Sequence, residues 1–190
     1  AELREEKIGN MFVHRVGSSK YTFPFFAFRR AQQLHKQKQY DAVWGMMAAY
    51  AGFAALFFKL RNPRVPFVLT LQEGDPIGHI KRRAALVYPL FKMIFTKADI
   101  IQAISNYLGQ FGRSMGFNGP LEIIPNGVDT KGFVGERVAH TGIVLITTSR
   151  LVHKNAVDDI VRALPLLPEH IRFLILGMGP DEAVLKALAR

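Results

Sequence analysis

A chain of 190 residues with 49% hydrophobic content and a mean hydropathy of +0.10 has enough apolar matter for a packed core, which excludes a disordered or low-complexity protein. The absence of cysteine excludes disulfide scaffolds and thiolate metal sites and suits a reducing compartment. The net charge of +10 lies mainly in residues 1–130, which hold 17 Lys/Arg against 9 Asp/Glu; that sign fits nucleic acid, an anionic membrane or an anionic small ligand without choosing among them.

The charged start, Ala1 to Lys7, does not read as a secretory signal. Met11 to Val16 is expected to be a strand, and Tyr21 to Gln39 to turn helical after Pro24. The 17 uncharged residues from Ala42 to Phe58 reach the lower edge of a membrane span. Gly45, Gly52 and a change of period favour instead a buried strand, Ala42 to Met46, followed by a buried helix, Ala48 to Leu60. Val65 to Leu71 reads as a strand closed by the turn Gln72-Glu73-Gly74-Asp75-Pro76. A helix from Ile77 to Thr96, bent at Pro89, leads to the strand Asp99 to Ile104. Ser105 stands at an N-cap position, Leu108, Phe111 and Met115 share one face, and Gly116 stops that helix. Leu121 to Ile124 ends at Pro125-Asn126-Gly127, where no ladder can continue. Four such alternations with near-continuous apolar strands predict a parallel sheet covered on both faces, with ligands at the carboxyl ends of its strands.

A second array opens with the strand Gly142 to Thr148 and the cationic turn Ser149 to Lys154. A helix follows with Val157, Ile160, Val161 and Leu164 at helical spacing, then the strand Ile171 to Leu176, and a last helix from Pro180. Two strands and two helices make no independent parallel domain, so this array is expected to be incomplete. The expected domains are residues 1–133 and 134–190, with a cleft at their junction.

Arg150 and Lys154 lie between a strand and a helix N-terminus, where two cations suit a diphosphate; the plain alternative is a solvated basic turn, and Asp158 and Asp159 offset the potential. Gly177-x-Gly179 lacks the third glycine of a dinucleotide fingerprint, because Glu182 stands there, so a packing turn is favoured while both glycines remain cleft-lining candidates. Gln72 and Glu73 at a strand's carboxyl end are suited to sugar hydroxyls or base chemistry, although carboxylates in such turns more often cap helices. Ser105, Asn126 and Gly127 complete the cleft-lining candidates. No metal-ligand spacing, GxSxG or P-loop occurs, and the catalytic residue is not identified. Phe23 to Arg30 and Ile77 to Lys97 interleave apolar and cationic residues, as interfacial helices do and as core helices with a solvated edge also do.

Taken in order, Ala98-Asp99-Ile100-Ile101-Gln102-Ala103-Ile104-Ser105, Ile124-Pro125-Asn126-Gly127-Val128-Asp129 through Phe133, Ser149-Arg150-Leu151-Val152 with Lys154-Asn155, and Leu176-Gly177-Met178-Gly179-Pro180 resemble glycosyltransferase family 4. The resemblance implies a GT-B fold of two Rossmann-like domains, here most of the N-terminal acceptor-side domain and the first part of the nucleotide-sugar domain. It implies retaining transfer of a sugar from a nucleotide-diphosphate donor to a glycan or lipid-linked acceptor, as in polysaccharide biosynthesis. The donor is a substrate, with no cofactor and no metal, and Arg150 and Lys154 would hold its diphosphate. Nucleic acid is not an expected partner, and a cytoplasmic location, with peripheral contact at the inner face of the membrane, is.

The chain also departs from the family pattern. The family's glycine-rich first loop and its later pair of glutamates seven residues apart are absent, so this stretch alone is expected to be inactive. Gln72 replaces a frequent His; Asn155 occupies the usual place of the second cation, with Lys154 one earlier; and the link from Phe133 to Gly142 is short. The alternatives are a nucleotide-sugar epimerase on the same scaffold and a basic protein binding nucleic acid or membrane. The latter leaves the ordered motifs unexplained.

Overall fold

The computed structural model describes residues 4–133, 135 and 141–189. The chain divides into two compact units, Ala1–Val128 and Asp129–Arg190. The expected short link between Phe133 and Gly142 lies largely outside the described residues.

In the first unit, β1 (Glu5–Ile8) and β2 (Met11–His14) pair antiparallel as a hairpin. This corrects the expectation that the first strand belongs to the parallel sheet. The turn at Gly9-Asn10, with Gly9 at φ 58°, reverses the chain before a crossover could form. Helix α1 (Phe23–Gln37) follows, with Pro24 in its first turn, where a missing N–H costs nothing.

The parallel sheet consists of β3 (Val43–Met46), β4 (Phe67–Leu71), β5 (Ile100–Ala103) and β6 (Leu121–Ile123), side by side in chain order. Helix α2 (Tyr50–Arg61) connects β3 to β4. Helices α3 (Ile77–Arg83) and α4 (Tyr88–Thr96) connect β4 to β5, and α5 (Asn106–Ser114) connects β5 to β6. The 17-residue uncharged run is therefore a strand and a helix, and no helix among the described residues is long and apolar enough to cross a membrane.

Each crossover steps in the same direction along the sheet, and right-handed connections then place their helices on one face. Phe67, Leu69, Leu71, Ile101 and Ala103 are buried in one core with Ala55, Leu56, Ile94, Phe95, Leu108 and Phe111. Among the described residues of this unit nothing covers the other face: Trp44 is 62% exposed, and Met46 and Ile100 are exposed beside it. That is the second correction, since covering both faces requires crossovers in both directions. A third concerns the helix expected from Ile77 to Thr96. It is interrupted by a 3-10 turn at Ala85–Val87, because Pro89 lacks the N–H that would bond back to Ala85, and the helix restarts around it.

The amino edge of the sheet is tied by Asp99. Its Oδ2 accepts from Phe67 N–H at 2.6 Å and lies 2.8 Å from Lys59 Nζ, which also donates to the carbonyls of Pro63 and Val65. Burial alone would raise this carboxyl, but the Lys59 and Phe67 hydrogen bonds and the Lys59 charge outweigh it and hold it below the ordinary 3.8. A depressed folded value stabilises above the unfolded one and is lost as pH falls through the folded one. Because Asp99 is half-exposed, Asp99→Ala is expected to cost only about 1 kcal/mol at neutral pH. Urea denaturation should show that gap closing in acid.

The second unit carries β7 (Ile143–Thr148) and β8 (Ile171–Leu176), parallel and in register from Ile143 opposite Ile171 to Thr148 opposite Leu176. Helices α6 (Val157–Ala163) and α7 (Glu182–Leu188) supply Val157, Val161 and Leu185 to a small core with Leu151, against which Phe173 and Ile175 pack.

Candidate functional site

A parallel sheet ends all its strands on one edge, so in the first unit Met47, Gln72 with Glu73, Ser105, and Ile124 leading to Asn126 and Gly127 follow the carboxyl ends of four adjacent strands. Their roles differ. Ser105 is an N-cap: its Oγ accepts the Leu108 N–H at 3.3 Å, as its place before the helix predicts. Asn126 and Gly127 lie in an exposed irregular segment, with open space around Gly127. Gln72 is half-buried.

Glu73 is the most constrained of the group. Its Oε1 accepts the Ala48 N–H at 2.6 Å and so joins the ends of β3 and β4, while its Oε2 is buried with no hydrogen-bond partner. Burial raises this carboxyl above the ordinary 4.5, outweighing the Ala48, Glu73 and Gln72 amides that favour the ionised form. The loop it braces is strained, since Met47 has a φ of 67°, uncommon for a residue with a side chain. Beside that loop lies a largely apolar recess of about 420 Å³, whose lining includes Phe23, Met46, Met47 and Tyr50, with Lys20 as its cation.

The uncovered sheet face carries a polar ladder not apparent from the sequence. Trp44 Nε1 donates to Thr70 Oγ1 at 2.8 Å, and that hydroxyl donates to Gln102 Oε1 at 3.1 Å. Alternation marks these three residues as sharing a face; only the parallel register sets Thr70 opposite Gln102, with Trp44 on the diagonal from Thr70.

In the second unit, Arg150 follows β7 and Lys154 lies in a 3-10 turn (His153–Asn155) immediately before α6; both are exposed. Asn155 Nδ2 donates to the Arg150 carbonyl at 2.7 Å and folds the segment into a compact turn. Ala156 at φ 49° then redirects the chain into α6, whose first turn carries Asp158 and Asp159. Ser149, beside Arg150, has a buried Oγ with no hydrogen-bond partner, a feature that its place in the sequence does not signal.

Gly177 and Gly179 pack directly on this turn. A Cβ on Gly177 would lie 1.8 Å from the Ser149 carbonyl oxygen, and one on Gly179 would lie 2.1 Å from that of Leu151. Leu151 N–H donates to the Met178 carbonyl, and Asp181 N–H donates to that of Leu151. The packing-turn reading of these glycines accounts for both. The candidates thus form two groups, one in each unit. Among the described residues no three His, Asp or Glu side chains gather as a metal site.

A sequence model described as Glycosyltransferase Family 4 matches residues 3–131, about two thirds of the chain. Among curated proteins, the GDP-mannose-dependent alpha-(1-6)-phosphatidylinositol monomannoside mannosyltransferase of Mycolicibacterium smegmatis is 26% identical over 174 residues. That alignment covers 84% of this chain and 44% of the relative, so the chain matches less than half of that protein's length.

Proposed function

The chain belongs to glycosyltransferase family 4, and on that premise we propose that the protein it represents is a retaining enzyme that moves a sugar from a nucleotide-diphosphate donor to a glycan or lipid-linked acceptor. The family match over residues 3–131 carries this reading. The mannosyltransferase relative makes GDP-mannose the first donor to test.

Arg150 and Lys154 hold the donor diphosphate. The anion meets two exposed cations at the turn leading into α6, and the same cations stabilise the negative charge that develops on the departing nucleotide diphosphate. This chemistry uses no metal and no cofactor. Glu73 serves the acceptor: its unoccupied Oε2 accepts the proton of an incoming hydroxyl, and its raised value brings it closer to the working range of a general base.

Isothermal titration of the full chain with GDP-mannose tests the donor assignment. Arg150→Ala is expected to weaken binding about tenfold, and Arg150→Ala with Lys154→Ala by more than that. Unchanged affinity in the double variant would remove the diphosphate role from this turn.

A further inference from the structure

The dipeptide Asn-Gly occurs twice, at Asn118-Gly119 and at Asn126-Gly127. In this pair the asparagine side chain is open to attack by the backbone nitrogen of the next residue. Glycine brings no Cβ to hinder the approach, and its backbone reaches conformations closed to other residues. The attack requires the chain around it to bend. A clamped pair and a free pair therefore differ in reactivity although their sequences are alike.

Asn118-Gly119, between α5 and β6, is clamped. Arg113 Nη1 donates to the Phe117 carbonyl at 3.1 Å and to the Gly119 carbonyl at 2.8 Å, so one guanidinium holds the peptide units on both sides of the pair. The same guanidinium lies over the Phe117 ring, 5.4 Å from its centroid. A Cβ on Gly119 would lie 2.8 Å from that ring and 3.2 Å from the Asp99 carbonyl oxygen. Immediately beyond, the Pro120 carbonyl accepts the Ile101 N–H at 3.0 Å and ties the chain into the sheet.

Asn126-Gly127 is free. The ladder before it ends where Ile124 N–H donates to the Ala103 carbonyl at 2.9 Å, and the turn after it begins where the Asp129 carboxylate accepts the Lys131 N–H at 3.0 Å. Between these, Pro125 to Val128 are exposed throughout and make no hydrogen bond among the described residues. Nothing lies within 4 Å of a Cβ placed on Gly127.

We infer that Asn126 is a deamidation site of this protein and that Asn118, in its folded setting, is not. The Gly127 nitrogen, its proton removed by hydroxide, attacks Asn126 Cγ. The new N–C bond closes a succinimide ring, and the side-chain nitrogen leaves as ammonia after taking a proton from water. Water then opens the ring at either of its carbonyl carbons, giving aspartate or isoaspartate. Nothing is oxidised or reduced. Either product places a carboxylate in the stretch that leads from the first unit to the second, and isoaspartate also lengthens the backbone there. The inference depends on neither the donor nor the acceptor assignment.

Ageing the folded full chain in mildly alkaline buffer, followed by tryptic digestion and tandem mass spectrometry, tests it. The peptide Ser114–Lys131 carries both pairs, so each serves as the control for the other. Asn118 should react at least about tenfold more slowly than Asn126, since a hydrogen bond from a charged donor must open first. In urea the rate at Asn118 should rise to meet that at Asn126. Arg113→Gln should speed the loss at Asn118 and leave Asn126 unchanged. Gly127→Ala should slow the loss at Asn126 with an unchanged circular dichroism spectrum, because Gly127 has no left-handed φ and the space beside it is open. Equal rates at the two sites in the folded chain, or retention of the Asn126 amide while the unfolded chain loses it, would overturn the assignment. So would a parental rate at Asn118 in Arg113→Gln or at Asn126 in Gly127→Ala.

Discussion

Gly177→Ala is expected to unfold the second unit. The new methyl would sit 1.8 Å from the Ser149 carbonyl oxygen, which is backbone and cannot rotate away as a side-chain tip can. Relief requires parting the two turns, and that breaks the hydrogen bonds from Ser149 N–H to Leu176 and from Leu151 N–H to Met178. A loss above about 4 kcal/mol is expected from overpacking and severed backbone bonds together. The unit has little reserve, since its buried apolar residues among those described are Leu151, Val157, Val161 and Leu185. Amide hydrogen exchange is the measurement: protection should vanish across β7 and β8 while β4 and β5 keep theirs. Parental protection in β7 would mean that the turns are not locked in this way. Gly179→Ala should act similarly through the Leu151 carbonyl, 2.1 Å from its added carbon.

Glu73→Gln should make the protein more stable and less active. A carboxyl whose folded value is raised costs stability once pH climbs above its unfolded value, because the unfolded chain ionises more readily. The cost therefore begins as pH rises past the ordinary 4.5 and is complete above the folded value. Glutamine keeps an oxygen for the Ala48 N–H and carries no charge to desolvate. Denaturation midpoints should favour Glu73→Gln at neutral pH and converge with the parent in acid. A parent that stays the more stable at neutral pH would contradict burial as the dominant influence on this carboxyl. In sugar transfer by the whole enzyme the same variant should lose about a hundredfold or more in kcat, since glutamine cannot accept the proton. Parental kcat would take the base role away from Glu73 and leave it as a brace for the Met47 loop.

These variants separate two kinds of constraint at the two strand-end turns. Gly177 and Gly179 are needed because two backbones touch, and a ligand is not required to explain them. Glu73 is different. A buried oxygen with no partner, beside a strained loop, is an arrangement that stability alone does not favour.

The sequence by itself determined the local chemistry. Apolar runs bounded by Pro, Gly and Asn mark seven of the eight strands among the described residues to within a few positions, and the Ser105 cap and the division of Ala42 to Phe58 follow from period and side-chain type alone. The family resemblance was likewise legible, because its motifs are short stretches at strand ends whose order survives in the chain. What the sequence left open depends on neighbours distant in the chain. The hairpin replaced a sheet strand because Gly9-Asn10 turns the chain back within two residues. The uncovered face follows from strand order, which no single segment encodes. Gly109 and Gly112 look like weaknesses inside α5, yet both are buried against the sheet, where a Cβ on Gly109 would lie 2.8 Å from the tip of the Ile123 side chain and oblige it to shift. Glu73 is named by its turn, but its contact with Ala48, 25 residues earlier, exists only once β3 and β4 are paired. Period and propensity act over a few residues, whereas burial, unpaired atoms and backbone clashes arise only when separate elements are brought together, and so only the tertiary structure decides them.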